Sequence, residues 1–171
     1  MKRRRFLLVL LAVPVLASCK RDGGAEVMPA PREVTDSSVA YFCGMSVNEH
    51  SGSKAQIFIR DMQDPFWFAG VRDAFAFLML PETPKAVVAV YVNDMAKATD
   101  WAHPEQGTWI DAHTAFYVID SRQRGGMNAD EAVPFGTAAA AKKFIAEEGG
   151  RVVRFDDMPR DYVLGPKTGE K

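Results

Sequence analysis

The chain has 171 residues, 47% of them apolar and 25% charged, with 21 Lys and Arg set against 22 Asp and Glu. That balance excludes a disordered or fibrous protein and leaves no polybasic arm, so nucleic acid is not an expected partner. The near-neutral total hides one asymmetry: Lys2, Arg3, Arg4 and Arg5 stand together, with no acid among residues 1–18.

In chain order, the first element is an export signal. Residues 1–18 read as a lipoprotein signal peptide, because the basic start leads into an apolar run, Phe6 to Ala17, shorter than the ~20 residues a membrane-spanning helix needs. Leu16-Ala17-Ser18-Cys19 has the form of a bacterial lipobox, which makes Cys19 the expected lipidation site. Cleavage in front of it leaves 153 residues carrying 17 basic and 22 acidic groups, a formal charge of −5. Lys20, the second mature residue, is unlike an inner-membrane retention signal. The expected location is therefore a lipid anchor on the periplasm-facing side, with the outer membrane favoured. Residues 19–38 are rich in Gly, Pro and charge and read as a flexible tether. The folded domain is expected over 39–164, with a polar tail at 165–171.

Inside the domain, Lys54 to Asp61 carries Ile57, Phe58 and Ile59 and reads as a strand. Asp64-Pro65 is a helix opening, and Phe68, Val71, Phe75, Leu78 and Met79 recur at spacings of three and four, which predicts a helix over 66–80. Ala86 to Val92 reads as a buried strand, Asn93 to Gly107 as a polar stretch, and Ala112 to Ile119 as another strand. A Gly-rich loop covers 121–129, Ala132-Val133 is short and extended, and Thr137 to Glu148 is an Ala-rich helix stopped by Gly149-Gly150. Arg151 to Phe155 closes as a strand. The order strand, Pro-Phe, helix, strand occurs twice, ending in Asn93-Asp94-Met95 and again in Asp156-Asp157-Met158. The expected fold class is α+β, with two small ββαβ-type lobes packed together.

The usual enzyme signatures are missing: no phosphate-binding glycine loop, no nucleophile elbow and no zinc-protease helix. Sulfur stands out instead. With Cys19 lipidated, Cys43 is the only other thiol, and it sits in Tyr41-Phe42-Cys43-Gly44-Met45. In an extended segment Cys43 and Met45 would project from one face, with Gly44 leaving the space beside them open. Soft thiolate and thioether donors select Cu(I), whereas hard cations prefer oxygen. A third donor is expected from Met127, in the Gly-rich loop, where it would act as a mobile gate; His113 is the alternative, ahead of His50 and His103. The competing reading packs Cys43 and Met45 into a core strand as inert hydrophobes. Met62, Met79, Met95 and Met158 read as core filler, and Trp101 as core or a docking surface. A blue-copper carrier would need two histidines beside the cysteine, and a thiol-dependent lyase acting on an organometal would need a second thiol or a nearby carboxylate.

The lipobox, the Cys43-Gly44-Met45 segment and Val71-Arg72-Asp73-Ala74-Phe75 with Leu80-Pro81-Glu82 resemble the NosL family. So do Trp109-Ile110-Asp111-Ala112 and Gly125-Gly126-Met127 followed by Glu131-Ala132-Val133-Pro134-Phe135-Gly136. The resemblance covers nearly the whole mature chain. It implies two ββαβ-type lobes similar to part of organomercurial lyase, and a non-enzymatic Cu(I) chaperone acting in maturation of nitrous oxide reductase. It implies ligation by Cys43, Met45 and Met127, and partnership with an ABC-type assembly complex and the reductase itself.

Overall fold

The computed structural model describes residues 28–84 and 86–166, the side chain of Met127 excepted. The expected signal peptide, Cys19, the first part of the tether and residues 167–171 lie outside the described residues.

The β-branched and aromatic run predicted as a strand forms β1, Ala55–Ile59, buried along its whole length. The predicted helix over 66–80 divides in two. Phe66–Phe68 is β2, paired antiparallel with Ala55–Ile57 of β1, and α1 is Val71–Met79, opening after Gly70 rather than at Asp64-Pro65. Three consecutive aromatics satisfy a sheet edge better than a first helical turn, so Phe68, assigned above to the helical stripe, belongs to the strand. The next strand, β3, is Val87–Asn93. Ahead of the run predicted over 112–119, Trp109–Asp111 forms β4, a strand not expected from the sequence; the run itself shortens to β5, Phe116–Ile119, and the turn between the two is held by Tyr117 Oη donating to Ala112 O at 2.6 Å. Val133–Phe135 is β6, Ala138–Glu148 is α2 and Arg151–Val153 is β7. Thr137 caps α2 by accepting from the Ala140 N–H, and Gly149 ends it at φ +73°. A short helix, α3, Arg160–Leu164, follows and was not expected from the sequence.

Two antiparallel sheets result, ordered β2-β1-β3-β4 and β6-β5-β7. Each has the first strand of a ββαβ unit at its middle, flanked by the second and third, so the internal repeat read from the sequence is a structural one and the class is α+β. The main core lies between the lobes. Ala55, Ile57 and Ile59 of β1 and Val71, Ala74 and Phe75 of α1 meet Tyr117, Ile119 and Val153 of the second sheet. With side chains alternating along β5, Val118 points the other way and packs with Val133, Phe135 and Ala141 under α2.

Met95 and Met158 are buried filler, as expected, whereas Met62 is exposed. Trp101 is half-buried, stacked on Phe144 at 6.0 Å and 8°, and packs with the second lobe rather than standing out as a docking surface. The boundary expected at Val39 also shifts. Arg32 N–H donates to Gln56 Oε1 and Gln56 Nε2 donates back to Arg32 O, while Tyr91 Oη donates to Pro29 O and Trp109 Nε1 to Glu33 Oε2. Residues 29–34 are thus tied to the first sheet, because Gln56 and Trp109 would otherwise hold buried or half-buried polar atoms without partners.

Candidate metal centre

Two short loops carry the sulfur residues, and each is closed by its own backbone bonds. The first runs over 39–46. Val39 and Ser46 form an antiparallel bridge, Ala40 N–H donates to Met45 O at 2.9 Å, and Gly44 N–H donates to Ala40 O at 2.9 Å. Gly44 sits at φ +69°, a left-handed conformation that glycine adopts without steric cost. The extended geometry expected for Cys43-Gly44-Met45 is therefore corrected to a turn. The expectation of open space holds: a Cβ at Gly44 would meet nothing within 4 Å.

Aromatic contacts hold this turn in place. The Tyr41 ring lies 4.9 Å from Phe66, 5.9 Å from Phe68 and 5.0 Å from Phe77, and Tyr41 N–H donates to Trp67 O at 2.8 Å. Anchored underneath, the turn keeps its outer side in solvent. Cys43 is exposed, as are Val39 (50%), Phe42 (49%) and Met45 (39%). The reading of Cys43 as a buried, inert hydrophobe fails on this point.

After the turn the chain doubles back. Ser46 Oγ accepts from Asn48 N–H at 3.3 Å and caps the 3-10 turn Val47–Glu49, whose Val47 is fully buried. This returns His50, 4% exposed, to the turn's side, where Nε2 lies 3.6 Å from Cys43 Sγ.

The second loop faces His50. Arg124 and Asp130 bridge its ends and form an ion pair, and Gly125 N–H donates to Ala129 O at 3.0 Å. Met127 lies in the 3-10 turn Gly126–Asn128. The backbone of Gly126 packs directly on the imidazole: a Cβ there would stand 3.0 Å from His50 Cβ and 3.2 Å from Nδ1. The loop expected to act as a gate is tied at its ends by these bonds and rests on His50 through Gly126.

His113, the alternative donor, is placed elsewhere. It follows β4, at the opposite edge of the first sheet from β2, which carries the Cys43 turn; three strand spacings of about 4.8 Å separate those edges. Its ring packs on Phe155 at 3.9 Å. His103 is exposed on the 93–107 stretch. Of the three histidines, it is His50, ranked behind His113 from the sequence, that the fold brings beside Cys43. The available signal was local: His50 is seven residues past Cys43, with the Ser46 cap between them to reverse the chain.

Behind His50 is a cavity of about 60 Å³ lined by Gly70, Asp73, Gly126, Asp130 and Glu131. Burial pushes the Glu131 carboxyl up to about 7, against the Ser53 hydroxyl, the Val71 N–H and the Lys54 ammonium, which all favour the carboxylate. Burial brings Lys54 down to about 8, opposed by Glu131, and raises Asp73, opposed by Arg72 and His50. Among the described residues no group of three or more His, Cys, Asp or Glu side chains is arranged to hold a metal ion. A metal at this face would depend on Cys43 and His50 supplemented by thioethers, a soft and low-coordinate donor set.

A family model described as NosL matches residues 31–163. The copper-binding lipoprotein NosL of Achromobacter cycloclastes is 41% identical over 171 residues, covering 99% of this chain and 88% of that protein. The protein of the same description from Stutzerimonas stutzeri is 28% identical over 152 residues, 89% of this chain and 78% of its own length. The crystal structure of the copper chaperone NosL from Shewanella denitrificans superposes with a TM-score of 0.71 at 30% identity, covering 77% of this chain and 96% of that one. The solution structure of apo-NosL from Achromobacter cycloclastes gives a TM-score of 0.50 at 42% identity, over 68% and 94% of the two chains. The model match and the near full-length identity agree with the two-lobe fold, and the chain belongs to the NosL family.

Proposed function

We propose that this protein is a lipid-anchored, periplasm-facing Cu(I) chaperone that takes up one copper ion at the Cys43 turn and passes it on without catalysing a reaction. The observation that carries this reading is the exposed Cys43 thiol 3.6 Å from the buried His50 imidazole. Bonds of about 2.3 Å to thiolate and 2.0 Å to imidazole, at a trigonal angle of about 120°, separate the two donor atoms by about 3.7 Å. The pair therefore suits a trigonal ion with little rearrangement. Met45 on the same turn and Met127 on the facing loop supply the soft donors that favour the monovalent state.

Loading replaces the thiol proton by the metal, S–H giving S–Cu with the proton released to water. Unloading needs an incoming sulfur or imidazole to bind before an outgoing ligand leaves, which an exposed sulfur above a fixed imidazole permits. The names of the Achromobacter and Stutzerimonas relatives support the copper cargo and the anchor, and the lipobox supports Cys19 as the lipidated residue. The family resemblance points to an ABC-type assembly complex and nitrous oxide reductase as the onward route, with outer-membrane placement resting on Lys20.

Anaerobic Cu(I) titration tests the reading. Saturation is expected near one equivalent, with loss of binding in Cys43→Ala; undiminished binding in that variant overturns it.

A further inference from the structure

The segment Glu131-Ala132-Val133-Pro134-Phe135 has no role in the copper reading, yet its first residue is a fully buried carboxylate placed where both lobes meet. Glu131 Oε1 accepts from Ser53 Oγ at 2.6 Å, just ahead of β1, and faces the Val71 N–H at 3.4 Å, at the start of α1. The rest of the carboxyl lies among glycine backbones from three separate segments. A Cβ at Gly125 would overlap Oε2, one at Gly70 would stand 3.5 Å from it and one at Gly52 3.8 Å. Gly125 is the first residue of the tied loop, and its neighbour Gly126 is the residue that rests on His50. A direct mechanical path therefore runs from the carboxyl through Gly125 and Gly126 to the imidazole on one side and Met127 on the other. A buried acid is costly to keep, and neither Ser53 nor Val71 needs an acid as its acceptor. The close fit to Gly125 is what distinguishes this group.

We propose that Glu131 is a positioning residue for the metal centre: its carboxyl group, braced against β1 and α1, sets the height of the 125–128 loop over His50 and so brings Met127 to a metal held by Cys43. The inference rests on the copper reading and adds to it a residue that touches no metal. Glutamine keeps the shape and an acceptor for Ser53 and Val71, so the role belongs to the group's volume and fit, not its charge.

The experiment uses the detergent-solubilised full-length lipoprotein, in wild-type form and as Glu131→Ala, Glu131→Gln, Gly125→Ala and Met127→Leu. Cu(I) affinity is measured by chelator competition, and the donors are counted by X-ray absorption at the copper edge. Glu131→Ala is expected to keep Cys43-dependent binding, lose one sulfur neighbour and weaken affinity about tenfold, matching Met127→Leu. Combining those two changes should cost no more than either alone, and Glu131→Gln should restore the wild-type spectrum. Gly125→Ala, which crowds the same contact from the loop side, should lose the same sulfur and serves if Glu131→Ala does not fold. A full sulfur count in Glu131→Ala and Gly125→Ala, or additive losses in the double variant, overturns the proposal. If the wild-type protein takes up no Cu(I), the copper reading fails by itself. The positioning claim is then decided by amide exchange of the metal-free proteins: faster exchange at Gly125 and Ala129 in either variant supports it, and unchanged exchange overturns it.

Discussion

Cys43 and His50 form a pair of unequal exposure: the sulfur stands in solvent while the imidazole 3.6 Å away is 4% exposed. One donor is fixed by packing and the other is free to be approached. Replacing His50 by Ala should weaken Cu(I) binding by roughly 10- to 100-fold and remove the nitrogen neighbour from the copper absorption spectrum while leaving the sulfurs. His113→Ala, at the far edge of the sheet, should leave both affinity and spectrum as they were. A nitrogen neighbour that survives in His50→Ala but disappears in His113→Ala would reverse the assignment.

The buried charges behind His50 predict an unusual pH profile for the metal-free protein. Glu131 is held up near 7 rather than 4.5, chiefly by burial. Between those values the folded chain keeps a proton that the unfolded chain has released, so stability falls as pH rises through that window. Above it the full cost, on the order of 3 kcal/mol, is present. Lys54, lowered from 10.5 to about 8 by burial, acts in the opposite sense. Between about 8 and 10.5 the unfolded chain holds the extra proton, and stability recovers as pH rises. Asp73, Asp130 and Arg72 line the same cavity, and Asp73, raised by burial, adds to the falling limb. Urea unfolding between pH 5 and 10 should show a stability minimum near 7–8, and Glu131→Gln should flatten the falling limb. A falling limb equally steep in Glu131→Gln would assign it to another group.

How much of this was legible in the sequence depends on the range of the interaction. The repeat, the α+β class and α2 were readable, because Thr137 and Gly149-Gly150 mark that helix at both ends and the periodicities are local. The split at Phe66–Phe68 was not. Those aromatics satisfy a helical spacing as well as a strand, and only pairing with Ala55–Ile57 decides between them. At the site, Cys43 and Met45 announced themselves by chemistry and adjacency, but their turn geometry depends on Gly44 and on ring contacts to Phe66 and Phe77, which come from later in the chain. His50 ranked low as a lone histidine, and Glu131 drew notice only as part of a family segment, because burial is set by the other lobe and cannot be read from neighbours in sequence.

The repeat also exchanges material between its halves. Met95, which follows the last strand of the first ββαβ unit, is buried in the cluster of the second lobe with Val118 and Phe135. Met158, which follows the last strand of the second unit, is buried in the main core with residues of β1 and α1. Each methionine thus adds its side chain to a cluster that includes residues of the other unit. Met95→Ala and Met158→Ala should each cost about 2–5 kcal/mol, and because the two sit in separate clusters their effects should add to within about 0.5 kcal/mol. Denaturant titrations of the two single variants and the double variant measure this. A double variant markedly less damaged than that sum would mean that the two clusters open together.

Around the thiol, the exposed Val39 and Phe42 side chains have a different task from the donors. Phe42 contacts Tyr41 at 5.2 Å and Phe68 at 6.0 Å from the edge of the aromatic cluster, yet stays 49% exposed. Truncating it should therefore cost less than truncating a core aromatic, and it carries no donor atom for copper. An exposed aromatic beside a sulfur that must be reached by an incoming ligand is suited to holding a partner's surface while exchange proceeds. Phe42→Ala should leave Cu(I) affinity within about twofold while slowing transfer to an acceptor protein by roughly 5- to 30-fold, the range expected when an interface aromatic worth 1–2 kcal/mol is removed. Transfer to a small chelator, which needs no protein surface, should be unchanged. Equal slowing towards the chelator would mean that Phe42 acts on the metal centre itself and not on docking.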